Sequence, residues 1–119
     1  MTSSALQLVV CVKWTDHRPA VDPLHGTVAA QTHGEGFSQA DRAALEVALR
    51  LAEHWDATTT LVALGPAAAD TPLRELAASG VARVVRIDAR SDLPSAQVAA
   101  QLATAIRRAT GGDRVVVVC

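Results

Sequence analysis

Four short apolar runs rich in β-branched residues recur along the chain, at residues 6–12, 58–64, 81–87 and 114–119. Runs of this length and composition are typical of strands in the middle of a parallel sheet. Lys13 ends the first run and Gly65-Pro66 ends the second. The segments between the runs carry a helical period, and this alternation predicts a parallel sheet with crossover helices.

The first predicted helix begins at Ser38, whose hydroxyl can cap the helix while Asp41, three residues on, occupies the reciprocal position of a capping box. Helical spacing then places five apolar side chains on one stripe, which we expect to face the sheet: Ala44, Val47, Ala48, Leu51 and Trp55. Charged residues fall largely on the opposite side, as in an amphipathic helix that covers a sheet.

Two further helices complete the alternation. Asp70 is expected to cap the second helix ahead of Pro72, and Gly80 to end it. The third follows Pro94 and ends at Gly111 and Gly112. Its predicted inward residues are Val98, Leu102, Ala105, Ile106 and Ala109. The order is β-α-β-α-β-α-β, and the fold class is α/β, an open parallel sheet of four strands.

The connection across residues 14–37 is far longer than the about 2–6 residues usual between a strand and the next helix. Residues 20–23 and 26–29 are predicted to be two short extended pieces around a turn at Pro23 to Gly26. We therefore expect a small β-excursion over the carboxyl edge of the sheet.

Composition narrows the function classes. A chain of 119 residues with 50% hydrophobic residues suits one domain, residues 1–119, with a core that needs no disulfide or metal. A net charge of −1 gives no field to attract nucleic acid. Cys11 and Cys119 lie in apolar runs and are expected to be buried free thiols. Because no apolar run approaches the ~20 residues of a membrane span, we expect no membrane insertion and a cytoplasmic protein.

In open α/β sheets, ligands bind outside the carboxyl ends of the strands. The helix start at Ser38 to Asp41 offers free backbone N–H groups there. Gly65-Pro66 fits either a backbone approach to an adenine ring or a plain turn, and Trp14 either stacks on a flat ligand or covers the sheet edge.

Several kinds of chemistry lack their motifs. The sequence contains neither a Gly-x-Gly-x-x-Gly fingerprint nor a Gly-x-x-x-x-Gly-Lys-Ser/Thr loop. The four histidines have no usual metal-ligand spacing, and no Gly-x-Ser-x-Gly elbow is present. We therefore predict no metal site, no catalytic residue and no enzyme activity of the chain by itself.

Five motifs in order resemble the β subunit of electron transfer flavoproteins. Residues 8–13 resemble its first strand with a terminal lysine, and Val21-Asp22-Pro23 with Gly26-Thr27-Val28 resembles its Asp-Pro and Gly-Thr hairpin. The remaining three motifs are residues 41–51, similar to its first helix, Leu64-Gly65-Pro66, and residues 73–83. The chain resembles roughly the first half of such a subunit.

The resemblance implies a Rossmann-like, adenine nucleotide alpha-hydrolase-like fold and an electron carrier. Such a protein pairs with an α subunit and uses FAD to pass electrons from flavin dehydrogenases to a membrane quinone oxidoreductase. Its β subunit binds AMP, or a second FAD. The positions that correspond to adenosine contacts are Cys11, Ser38, Gln39, Ala40, Asp41 and Leu64.

Two alternatives remain open. One is a stand-alone adenine-nucleotide-binding module of the same architecture. The other is a nucleotide-free structural partner of an α subunit, favoured by the helix start Ser38-Gln39-Ala40, where the family usually has Asn-Pro.

Overall fold

The computed structural model describes residues 6–16, 20–21, 23–26, 28–29, 35–90, 92–111 and 114–119. Features expected at Asp22, Thr27 and Gly112, and the histidines His17 and His33, lie outside these residues. The elements are β1 (Gln7–Lys13), β2 (Thr15–Asp16), β3 (Ala20–Val21), β4 (Val28–Ala29), β5 (Glu35–Gly36), α1 (Gln39–Trp55), β6 (Thr58–Gly65), α2 (Asp70–Ala77), β7 (Arg83–Asp88), α3 (Ser95–Thr110) and β8 (Val115–Val118). A short 3-10 turn, Ala67–Ala69, precedes α2.

The four long strands form one parallel sheet in the order β7-β6-β1-β8. Gln7 at the start of β1 lies opposite Thr58 of β6 and Val115 of β8, so the three strands begin at the same level. The structure confirms the predicted open α/β sheet of four strands with crossover helices.

Alternate residues of the central strands pack against helices on opposite faces of the sheet. Val10 and Val12 lie in a cluster with residues of α1 and α2, whereas Val9 and Cys11 lie in a second cluster with residues of α3. The chain therefore leaves β1 toward one side and reaches β8 from the other. The strand order reverses between β1 and β8, which places the switch point of the sheet there.

The buried face of α1 differs from the predicted stripe. Its buried residues are Ala44, Leu45, Ala48 and Ala52. Val47 is 48% exposed and Trp55 is 44% exposed, so the prediction that both face the sheet is wrong. Small side chains let the helix backbone lie close to the sheet, and the helix is rotated to put its alanines there.

Two expectations about individual residues are also wrong. Asp70 is the first residue of α2, and Ala69 occupies the cap position without a side-chain hydrogen bond. Cys119, expected to be buried, is exposed at the outer edge of the sheet, whereas Cys11 is buried as expected. Of the five residues of the third helix predicted to face inward, Leu102, Ala105 and Ile106 pack on the sheet. Gly111 ends this helix in the left-handed conformation with φ of 73°.

The long connection contains the predicted β-excursion. Strands β3 and β4 pair antiparallel, with Ala20 opposite Ala29. A second antiparallel pair, β2 with β5, was not predicted; it places Thr15 opposite Gly36 and brings the two ends of the connection together. In the described part of the chain, no helix has the length and apolar character required to cross a membrane.

Candidate functional site

The start of α1 is fastened to the end of β1. The backbone N–H of Lys13 donates to Oδ2 of Asp41 at 3.2 Å. Gln7 N donates to the carbonyl of Arg114, so the odd-numbered N–H groups of β1 face β8. The N–H of Lys13 faces the same side, beyond the last residue of β8. Asp41 therefore lies at the crevice where the strand order reverses.

The first N–H groups of α1 lie before the first hydrogen bond of the helix. Oγ of Ser38 accepts from the N–H of Asp41 at 3.0 Å, which confirms Ser38 as the N-cap. The first helical hydrogen bond runs from Arg42 N to the carbonyl of Ser38. The N–H groups of Gln39 and Ala40 precede it, so the helix itself does not use them. Both residues are exposed at the carboxyl edge of the sheet.

Cys11 contributes only backbone atoms to this edge, because its side chain is buried. It is only 6% exposed and packs on the face covered by α3, away from α1. Burial, followed by the neighbouring Cys119 and the charge of Asp41, raises the pKa of the Cys11 thiol from 9.0 to about 12. The thiol stays protonated near neutral pH and is no nucleophile.

Leu64 is also a buried strand residue, 1% exposed, and lies opposite Lys13 in the sheet. Its carbonyl accepts from the N–H of Trp14 at 2.9 Å. The Trp14 ring is buried and meets Phe37 edge-on, with 5.2 Å between ring centroids. Of the two interpretations of Trp14, the structure confirms the one in which it covers the sheet edge.

Gly65 is required by the packing of Trp14. A Cβ atom at Gly65 would lie 2.6 Å from the Cβ of Trp14, closer than such atoms approach. Neither interpretation of Gly65-Pro66 from the sequence, an approach to an adenine ring or a plain turn, included this contact with Trp14. That contact fixes the path of the chain leaving β1.

An arginine that the sequence reasoning missed ties the neighbouring strand ends together. Arg86 of β7 donates to Oδ1 of Asp70 at 2.6 Å, to the carbonyl of Gly65 at 3.0 Å and to Oδ1 of Asp88 at 3.2 Å. The Asp70 carboxylate, followed by Asp88, raises the pKa of the Arg86 guanidinium. Because it bonds both Asp70 of α2 and the carbonyl of Gly65 at the end of β6, Arg86 fastens α2 to the sheet. Asp70 and Gly65 are 16 and 21 residues away from Arg86 in the sequence, so of its three partners local spacing could reveal only Asp88.

The structure thus gathers the six candidate residues at one edge, with different roles. Gln39 and Ala40 present backbone donors, Ser38 and Asp41 hold the helix start, and Cys11 and Leu64 supply buried strand ends. Such a set suits noncovalent binding of a polar ligand, since it combines fixed donors with a carboxylate acceptor.

The protein is therefore of the α/β class, with a candidate ligand-binding edge at the switch point of its sheet. The family model described as the electron transfer flavoprotein domain matches residues 25–119, so the chain belongs to the electron transfer flavoprotein family. The match includes the start of α1 and the end of β6, and Cys11 lies before it. No curated protein matches the chain.

Proposed function

We propose that the chain acts as the β-type subunit of an electron transfer flavoprotein, and that its edge at β1 and α1 binds the adenosine part of AMP or of a second FAD. The observation that carries this proposal is the hydrogen bond from Lys13 N–H to Asp41, which holds a helix start against the switch point. Ligands of open α/β sheets bind at this kind of crevice.

The donors and acceptors favour the nucleoside part of the ligand over its phosphates. The N–H groups of Gln39 and Ala40 suit ring nitrogens or hydroxyl oxygens. The Asp41 carboxylate, two residues inside the helix, opposes an anion at the same point and can accept from an amino or hydroxyl group. The residues present therefore fit an adenosine, with its phosphates directed away from Asp41.

The electron chemistry belongs to the flavin of the assembled protein. FAD accepts and releases electrons, and protein residues bind it, orient it and set its electrostatic surroundings. In this proposal the chain pairs with an α subunit and contributes the adenosine edge. Flavin dehydrogenases are the electron donors, and a quinone oxidoreductase is the acceptor. Support for the electron-carrier role is the family membership.

A nucleotide-free structural role is the second candidate. The helix start has Ser38 at the position where the family usually has asparagine, so it lacks a side-chain amide there. The Ser38 hydroxyl accepts a hydrogen bond from the N–H of Asp41 and acts as the helix cap. A chain that has lost nucleotide recognition can still keep the cap and the fold. The two candidates differ only in bound ligand.

Co-purification tests the proposal. The chain is co-expressed with the α-subunit gene of the same genome, and bound flavin and AMP are quantified by absorbance and mass spectrometry. The proposal predicts a yellow complex with one adenine nucleotide held by this chain in addition to the flavin. A yellow complex without the additional nucleotide supports the structural role. Failure to form any complex contradicts pairing with an α subunit.

A further inference from the structure

A cleft of about 540 Å³ lies between β7 and α3, on the face of the sheet opposite α1 and away from the candidate site. Val85, Ile87 and Ala105 form its apolar floor, and they belong to the cluster that packs α3 on the sheet. Arg83 and Arg108 lie at its rim. The cleft therefore combines an apolar floor with basic groups at the surface.

Along this cleft, one side of the β7 backbone has no neighbouring strand among the described residues. β7 is the outermost strand of the sheet among the described residues. Ala82 N donates to the carbonyl of Thr59 in β6. Because backbone groups of a strand point alternately to its two sides, every second residue after Ala82 faces β6, and the residues between them face away from the sheet. The outward backbone groups belong to Arg83, Val85 and Ile87. These same residues line the cleft, so an added strand would meet both their backbone and their side chains.

The charge around the cleft is positive, whereas the whole chain has a net charge of −1. Helix α3 contains Arg107 and Arg108 in its last turn and no acidic residue. Nη1 of Arg83 donates to the carbonyl of Ala109 at 2.7 Å, which holds this guanidinium at the rim beside the end of α3. The local field therefore favours acidic partners.

We propose that the cleft between β7 and α3 docks an extended, acidic segment of a partner protein as an additional strand beside β7. Main-chain hydrogen bonds to an exposed sheet edge give affinity in this mode, and alternate side chains give specificity. Small apolar side chains of the segment enter the cleft over Val85 and Ile87. Carboxylates of the segment meet Arg83 and Arg108 at the rim.

A designed peptide tests the proposal without involving the nucleotide edge. The probe is a fluorescein-labelled octapeptide of alternating valine and glutamate, titrated with the full chain and followed by fluorescence anisotropy. The same peptide with lysine in place of glutamate is the charge control. We expect saturable binding of the glutamate peptide, weakened by salt, and at least about tenfold weaker binding of the lysine peptide.

Adjacent residues of α3 provide matched variants. Arg107 and Arg108 have the same charge and lie in the same turn of α3, but only Arg108 lines the cleft. We expect Arg108→Glu to weaken peptide binding about tenfold and Arg107→Glu to weaken it less than about threefold. Equal losses in the two variants would show attraction to the net charge alone and would overturn the proposal.

A second pair tests occupancy of the cleft. Ala100 lines the cleft and Ala99 does not, and both are exposed on α3, so both variants are expected to fold. Ala100→Trp should block the glutamate peptide, and Ala99→Trp should leave its affinity unchanged. Absence of binding by the unmodified chain, or binding that survives Ala100→Trp, contradicts docking in this cleft.

Discussion

The Asp41 carboxylate accepts a hydrogen bond from the backbone N–H of Lys13, with 3.2 Å between Oδ2 and N. The two residues are 28 positions apart, and the whole β-excursion lies between them. This bond sets the distance between the first helix and the first strand at the switch point. The geometry of the candidate site depends on it.

Removing the acceptor should destabilise the protein. Asp41→Ala leaves the part-buried N–H of Lys13 without its partner, and we expect the free energy of unfolding to fall by about 1–3 kcal/mol. Asp41→Asn keeps an oxygen acceptor and should cost less. Urea unfolding followed by circular dichroism measures both variants. Equal stability of Asp41→Ala and the unmodified protein would contradict a role for this bond.

The N-cap can be tested separately from the carboxylate. Ser38→Ala removes the hydroxyl that accepts from Asp41 N, so we expect a loss of about 1 kcal/mol in the free energy of unfolding. Ser38→Asp keeps an acceptor and should retain most of the stability. Ser95→Ala is the control, because Ser95 is the first residue of α3 and Pro94, its cap, makes no side-chain bond. A loss at Ser95 as large as that at Ser38 would argue against the cap.

Gly65 should tolerate no side chain. Gly65→Ala places a Cβ 2.6 Å from the Cβ of Trp14, and neither atom can rotate away. We expect a loss of about 1–3 kcal/mol, together with a change in tryptophan fluorescence as Trp14 shifts from Phe37.

Gly111→Ala is the comparison for this variant. Gly111 has a φ of 73° and no atom within 4 Å of an added Cβ, so its cost of about 1–2 kcal/mol is conformational. Its tryptophan fluorescence should not change. An unchanged spectrum for Gly65→Ala would contradict the contact between Trp14 and Gly65.

Alkaline pH should weaken the protein through Cys11. The folded-state pKa of this thiol is raised from 9.0 to about 12, so the unfolded chain loses the proton first as pH rises. Stability is therefore fully present below pH 9 and falls between pH 9 and 12, by up to about 1.4 kcal/mol per pH unit. The chain has no tyrosine, which removes the commonest competing group in this range.

Denaturant unfolding from pH 8 to 11 measures this slope. Cys11→Ala has no thiol at this position, and its stability should depend less steeply on pH even though its absolute stability is lower. The same slope in both proteins would mean that Cys11 does not titrate as described.

Much of the fold follows from sequence because its elements are local. The apolar runs correspond to β1, β6, β7 and β8, and Ser38 and Gly111 mark a helix start and a helix end as expected. The pair β2 with β5 escaped prediction because two-residue strands have no measurable period and no turn sequence joins these two directly, whereas β3 and β4 flank the turn at Pro23 to Gly26. The predicted orientation of α1 was wrong because large apolar residues dominate a hydrophobic pattern, whereas close packing of the helix on the sheet favours alanine at the contact.

The candidate site was predictable only in part. A capping residue at the carboxyl edge of a sheet can be identified from sequence, and it located residues 38–41. The partner of Asp41 could not be identified, because the acceptor for Lys13 N–H is set by where the long connection returns. The Arg86 network depends in the same way on strand order, since it joins α2, β6 and β7.

The most direct measurement of the central proposal is nucleotide binding with two matched tryptophan variants. Ala40 and Ala96 occupy the same position, second in their helices and exposed, at the starts of α1 and α3. The complex with the α subunit, with its redox flavin retained, is freed of the additional adenine nucleotide and titrated with AMP, and separately with FAD, in equilibrium dialysis. We expect stoichiometric adenine-nucleotide binding that Ala40→Trp abolishes and Ala96→Trp leaves intact. No binding by the unmodified complex, or binding that survives Ala40→Trp, would contradict it.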